Sequence, residues 1–305
     1  MAVICGSSRG AEPVTATHPG GASRCRLRPS CDAASHARPT ATVGVLANPS
    51  GECAPQLLAI EAWAGAHGLR TVDLGTTDRA DELPEAGALV IALGGDGTIL
   101  RALQLAIEHH SPVLGVNFGH LGFLADVDGD ELASALDRIA RGEAQIDERT
   151  ALVASSQTPI PRTVIAFNDF VISRRLGFGS ARLHVEVSGE PVLDLTGDGL
   201  VVASPTGSTA YTVEAGGPAV SPMLDALVLT PLAAQGSRLR SMVLDGGDTI
   251  RIHALARSAP LGVEVDGRTM EVMPTPATIQ IRTAAGKARL VRTRPRTFYG
   301  DLARR

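Results

Sequence analysis

Lysine is almost missing from this chain: Lys287 is the only one, and every other Lys/Arg cation is arginine. A phosphate loop of the Gly-x-x-x-x-Gly-Lys kind needs glycine six residues before its lysine, and that position is Ile281. A eukaryotic-type protein kinase also needs a strand lysine against the phosphates. The shortage argues against both schemes, so any phosphate chemistry must rest on glycine loops, arginine, metal and backbone N–H groups. Aromatic residues are only 3 % of the chain against 44 % hydrophobic, so the cores must be aliphatic. Cys5, Cys25, Cys31 and Cys53 contain no Cys-x-x-Cys spacing, which speaks against a zinc site or a disulfide framework. No apolar run approaches the roughly 18 residues that cross a bilayer, and the N-terminus lacks the continuous apolar core of a secretory signal. The expectation is a soluble, cytoplasmic protein without membrane contact. A net charge of −4 gives no footprint for nucleic acid.

The 305 residues suit two domains, or one large one. Residues 1–41 are rich in Arg, Ser, Ala, Pro and Gly without hydrophobic period and read as a disordered extension. From 42 to 145 the pattern runs strand, helix, strand, strand, helix, strand, helix, which is an α/β domain with a largely parallel sheet. Residues 146–292 change texture. Short Val/Ile/Leu-rich segments recur between turn residues, and 182–188 and 262–266 alternate polar and apolar side chains. This predicts a β-rich, sandwich-like second domain, with 293–305 as a C-terminal segment. The polar stretch 142–150 reads as the linker between the two.

The most informative stretch is Gly94-Gly95-Asp96-Gly97-Thr98, directly after the apolar run 88–93. A buried strand that stops at paired glycines leaves Asp96 at its carboxyl end, where open α/β sheets bind ligands. Glycine lets a ligand approach the main chain. Thr98 is expected to cap the following helix, whose N–H groups suit a phosphate. A second glycine-rich stretch, Asn117 through Gly119, His120 and Gly122 to Asp126, is placed to wall the same sheet edge. Asn168-Asp169 offers a donor and an acceptor at the start of a strand, although such a pair is also ordinary turn chemistry. Gly197-Asp198-Gly199 repeats the carboxylate between glycines and leads into Ser204-Pro205-Thr206-Gly207-Ser208-Thr209-Ala210-Tyr211. That run reads as a hydroxyl-rich turn into a short helix, with Tyr211 free either to pack or to stack on a planar base. Within 42–292 there is no Gly-x-Ser-x-Gly elbow, no His-Glu-x-x-His, and no Gly-x-Gly-x-x-Gly after a strand.

These four motifs in this order resemble the ATP-dependent NAD kinase family over roughly residues 43–292. The resemblance implies an active site in a cleft between the α/β and β-rich domains. It also implies transfer of the γ-phosphoryl of ATP to the 2′-hydroxyl of the adenosine ribose of NAD, giving NADP. By that likeness Asp96 is the proton acceptor, Gly97 lies against the dinucleotide and Arg101 contacts phosphate. Asn168 and Asp169 hold NAD, and Asp198 is a second acid. Thr209, Ala210, Tyr211, Thr212, Val213 and Glu214 lie along the adenosine end, and Arg182 is a cationic contact by position. The family implies Mg²⁺ or another divalent cation with ATP, and a homodimer or homotetramer. Thr196, Gln235 and Arg268 stand where that family commonly has a basic residue, a histidine and a glutamine. Two other readings keep the glycine-aspartate loop: a lipid or sugar kinase, and a non-catalytic dinucleotide-binding regulator.

Overall fold

The protein is described by a computed structural model, in which residues 41–48, 53–75, 86–118, 122–156, 163–236, 239–295 and 298–303 are described. The expected extension therefore lies, but for Ala41, outside the described residues, as do residues 119–121 of the second glycine stretch.

Chain order is β1 (Thr42–Ala47), α1 (Ala54–Ala66), β2 (Arg70–Asp73), β3 (Leu89–Leu93), α2 (Asp96–Ala106), β4 (Val113–Asn117), β5 (Val127–Asp128) and α3 (Leu132–Ala140). β1, β3 and β4 are buried almost throughout, because helices cover both faces of a parallel sheet. Ile60 and Trp63 of α1 and Leu132, Leu136 and Ile139 of α3 pack on one face. Ile99, Leu100 and Leu103 of α2 pack on the other. The parallel strands lie in the order β2, β1, β3, β4. The chain runs one way from β1 to β2 and the other from β3 to β4. The switch point thus falls between β1 and β3, and the glycine turn after β3 opens there.

The remainder is β6 (Gln145–Ser156), β7 (Thr163–Ala166), β8 (Asp169–Arg174), β9 (Ala181–Val187), β10 (Glu190–Gly197), β11 (Gly199–Ala203) and α4 (Tyr211–Glu214). After these come β12 (Ala226–Leu232), β13 (Met242–Asp245), β14 (Thr249–Ala254), β15 (Leu261–Val265), β16 (Arg268–Met273), β17 (Ala277–Arg292) and α5 (Phe298–Leu302). An antiparallel sheet, β13-β12-β11-β8-β15-β16, faces β9, β14 and β17. The aliphatic core between them includes Phe170, Ile172, Leu183, Val185, Leu200, Leu229, Ile252 and Ile281. The sandwich is the reason for the alternating sequence pattern, since one face of each of these strands is turned away from that core.

Two expectations are corrected. Residues 145–150 are no linker but the first half of β6, paired with 287–292 of β17. Their polar look arises because a strand hides only alternate residues. β17 also pairs in parallel with β4 through Leu290 and Val113, so one sheet runs from β2 to β10. Secondly, α2 starts at Asp96 with Gly95 as its cap residue, and Thr98 N–H already bonds Gly95 O at 2.9 Å within the first turn. The paired glycines turn the chain quickly enough that no side-chain cap is used.

Candidate active site

Asp96 is the first helical residue of α2, where a negative charge is favoured by the helix dipole. Its carboxylate is held from across the sheet edge. Phe123 N–H donates to Oδ2 at 3.0 Å and Leu124 N–H to Oδ1 at 3.2 Å. Gly122 is needed for this, because a Cβ there would overlap the carboxylate. The 122–126 loop is itself anchored. Arg292 Nη1 donates to Leu124 O at 2.9 Å, and Thr293 donates to Asp126 Oδ2 through its N–H at 2.9 Å and its hydroxyl at 2.6 Å. The end of β17 thereby fixes the loop that orients Asp96.

Gly97, Arg101 and Gln104 share one face of α2, being four and three residues apart. Gln104 Nε2 donates to Asp266 Oδ2 at 3.0 Å. Asp266, in the β15–β16 turn, also accepts from Phe167 N–H (3.0 Å), Asn168 N–H (2.7 Å) and Asp169 N–H (3.3 Å). The candidate pair Asn168-Asp169 is thus tied to the helix that carries Asp96, about 12 Å along it by helical rise. Asn168 is half-buried and Asp169 buried. Burial pushes the Asp169 carboxyl up to about 7; the Asp266 charge adds to this, and a hydrogen bond from the Tyr211 backbone opposes it. Burial also raises Asp266, against the pull of its backbone donors.

The Tyr211 backbone contact brings the third motif to the same place. Gly207 comes so close to the carbonyl of Asn168 that any side chain would collide with it. Ser204 Oγ donates to Phe167 O at 2.5 Å and accepts from Gly207 N–H at 3.1 Å. The hydroxyl run is therefore committed largely to its own turn. Ser208 Oγ bonds Pro205 O and accepts from Val220 N–H, and Thr209 Oγ1 donates to Thr206 O. Thr212 is fully buried, Ala210 half-buried, and Tyr211, Val213 and Glu214 exposed. Of the offered hydroxyls, those of Ser204, Ser208 and Thr209 build the turn; the exposed Tyr211 ring is the large surface the segment presents.

Arg182 and Asp198 lie elsewhere. Asp169 pairs with Ala203, whereas Asp198 O bonds Arg174 N–H at the far end of β8, roughly 16 Å away at strand rise. The Asp198 carboxylate meets Arg174 Nε at 2.6 Å and is half exposed. Arg182, exposed on β9, pairs with Thr196 just before it. One chain thus gathers Asp96, Gly97, Arg101, Asn168, Asp169 and the 209–214 segment, and holds Arg182 and Asp198 apart. Gln104, Arg292 and Thr293 were not singled out by sequence, since none lies in a glycine motif. Asp266 could have been, because Asp-Gly between alternating strands marks a tight hairpin turn.

Comparison with known proteins identifies the family. Residues 61–144 match the ATP-NAD kinase N-terminal domain and residues 167–293 the ATP-NAD kinase C-terminal domain. The NAD kinase of Moorella thermoacetica is 39 % identical over 221 residues, 72 % of this chain and 71 % of that protein. The NAD kinase of Chloroflexus aggregans is 36 % identical over 272 residues, 86 % and 97 % of the two chains. In fold, yeast NADH kinase complexed with NADH superposes with a TM-score of 0.74 at 22 % identity, over 88 % of this chain and 86 % of that one. An NAD kinase from Archaeoglobus fulgidus in complex with ATP gives 0.67 at 22 %, over 86 % and 98 %. This chain belongs to the NAD kinase family. The matches leave no support for the lipid- or sugar-kinase reading.

Proposed function

We propose that the chain is an ATP-dependent NAD kinase that moves the γ-phosphoryl of ATP to the 2′-hydroxyl of the adenosine ribose of NAD, forming NADP. The observation that carries the mechanism is the Asp96 carboxylate at the sheet's switch point, oriented by two backbone N–H groups. Each carboxylate oxygen keeps a second lone pair, so the group can still take the hydroxyl proton as the phosphoryl is transferred. A ribose hydroxyl is a weak nucleophile at neutral pH, and a positioned base contributes about 10²–10⁴-fold. Phosphoryl transfer asks the protein mainly for alignment and charge neutralisation.

Arg101, on the α2 face turned to Asn168-Asp169, supplies a fixed positive charge for a phosphate. Gly97 allows the dinucleotide close to the helix start, Asn168 and Asp169 hold it, and the Tyr211 ring stacks on its base. Among the described residues no group of three or more His, Cys, Asp or Glu is placed to hold a metal ion. A hard cation would therefore be held chiefly by the ATP phosphate oxygens rather than by a protein site. Mg²⁺ or another divalent ion, when bound there, supplies counter-charge on the phosphates.

The protein acts as a homo-oligomer, dimer or tetramer. The separation of Asp198 from Asp169 within one chain supports this, as the arrangement expected if a second copy contributes Asp198 and Arg182 to the site. It is read as cytoplasmic; among the described residues no helix is long and apolar enough to cross a membrane. The test is NADP formation from NAD, ATP and Mg²⁺ by purified protein. Absence of NADP from a folded preparation, with ATP and NAD unconsumed, would refute the reading.

A further inference from the structure

Asp266 makes more contacts to the candidate site than any role in a hairpin turn requires. It sits at φ 49°, followed by Gly267 at φ 76°, the paired left-handed residues of a two-residue hairpin. Aspartate tolerates that conformation better than most residues. What the turn does not need is the direction of the side chain. It points away from its own hairpin and receives three successive main-chain N–H groups, those of Phe167, Asn168 and Asp169. It also receives Gln104 Nε2 from α2. The bond is returned, since Asp266 N–H donates to Asp169 O at 3.1 Å. Four donors from two elements demand both oxygens of a carboxylate; an amide offers one acceptor oxygen.

The arrangement places two carboxylates together in a poorly hydrated position, which is unfavourable for folding. Anchoring 167–169 alone would not need the further donor from α2, Gln104. We infer that Asp266 is a positioning residue for the transfer reaction, clamping the Asn168-Asp169 main chain to α2 so that the NAD-holding segment and the helix bearing Asp96 and Arg101 keep one fixed relation. This inference rests on the assignment of Asn168 and Asp169 to NAD. A misplacement of about 1 Å at reacting groups can lower turnover about 10²-fold, so a rigid tie between the two elements has a direct consequence for rate.

The charged form of Asp266 also acts on its neighbour. The groups acting on Asp169 are Asp266, Glu264 on β15 and the Tyr211 N–H on α4, the first two raising and the last lowering its titration. Neutralising Asp266 therefore moves the Asp169 ionisation to lower pH, and kcat/KM for NAD follows it only where Asp169 takes part in holding NAD.

The experiment compares parent, Asp266→Asn, Asp266→Ala and Gln104→Met in steady-state NAD kinase assays across pH, with thermal melting of each. Asp266→Ala is expected to raise KM for NAD about tenfold or more, the scale of losing hydrogen bonds to a charged group. KM for ATP stays within about twofold. Asp266→Asn recovers part of the loss and shifts the Asp169 inflection of kcat/KM for NAD to lower pH. Gln104→Met, which keeps volume and deletes one donor, raises KM for NAD about two- to fivefold and remains informative if the Asp266 variants do not fold. Asn168→Ala and Asp169→Asn run beside them. If these two raise KM for NAD while folded Asp266 and Gln104 variants leave both KM and the pH profile unchanged, the clamp is wrong and the NAD assignment stands. Unchanged KM in Asn168→Ala and Asp169→Asn overturns the assignment, and the clamp with it.

Discussion

The chain contains the tripeptide Gly-Asp-Gly twice, and the two copies end in opposite environments. Asp96 follows a parallel strand whose neighbours on both sides are also parallel, and its carboxylate is gripped by the N–H groups of Phe123 and Leu124. Asp198 lies between two antiparallel strands at a corner of the sandwich, half exposed and paired with Arg174. The same three residues give a fixed carboxylate in one place and a solvated ion pair in the other. What separates them is what the following element does. After Asp96 the chain enters a helix, so its main chain is held and its side chain faces the loop after β4. Following Asp198 the chain becomes β11, and its glycine instead serves close strand contact, with a Cβ at Gly199 running into the Ile172 carbonyl.

The contrast breaks most severely at Asp96. Asp96→Asn keeps the size and one of the two backbone contacts, but cannot take a proton; turnover should fall at least about 10²-fold while NAD binding, measured by calorimetry, persists. Equal activity in mutant and parent would remove the role given to Asp96. Next is Gly122→Ala, which pushes the Asp96 carboxylate from its two donors without altering its chemistry. A loss of about 10- to 10²-fold in kcat is expected, with little change in melting temperature if the loop yields. At the other copy the effect on stability is small. Arg174→Ala or Asp198→Ala should change unfolding free energy by about 1 kcal/mol or less, as exposed pairs do, read from denaturant melts. Activity gives the sharper reading: mixing Asp96→Asn with Asp198→Ala chains, each weak alone, should regain NADP formation. Mixed oligomers then contain sites with Asp96 from one chain and Asp198 from another. Failure to regain it after verified subunit exchange would show that Asp198 does not serve a neighbour's site.

The two copies also show how far the sequence could be read. The largely parallel α/β character of the first domain and the place of Asp96 after β3 were legible because glycine pairs end buried strands abruptly and aliphatic runs mark strands covered on both faces. The sandwich was legible from its alternation. The sequence did not show that 145–150 belongs to β6, since a long strand that is half exposed looks like a polar linker until its partner, β17, is known. Nor could it show that the Ser204, Ser208 and Thr209 hydroxyls would turn inward, because a hydroxyl satisfies a ligand or its own turn with the same chemistry. Asp198 and Asp96 look alike in one dimension. Only the register of β8 against β11 separates Asp198 from Asp169 along the sheet.

The smallest effect concerns stability against pH, and it falls on the enclosed pair Asp169 and Asp266. Asp169 titrates near 7 in the folded chain, against about 3.9 when unfolded. Between those values the folded state holds a proton that the unfolded state has released. The unfolded state therefore binds fewer protons, and stability must fall as pH rises through that window. The contribution is complete below about pH 4 and gone once pH passes about 7. Asp266, also raised by burial, acts in the same sense. Melting temperature should thus decline between about pH 5 and pH 7.5 in the parent, and less so in Asp169→Asn, whose amide has no proton to release. If Asp169→Asn reproduces the parental slope, the proton is held by some other group and the picture of two carboxylates sharing a dry corner fails.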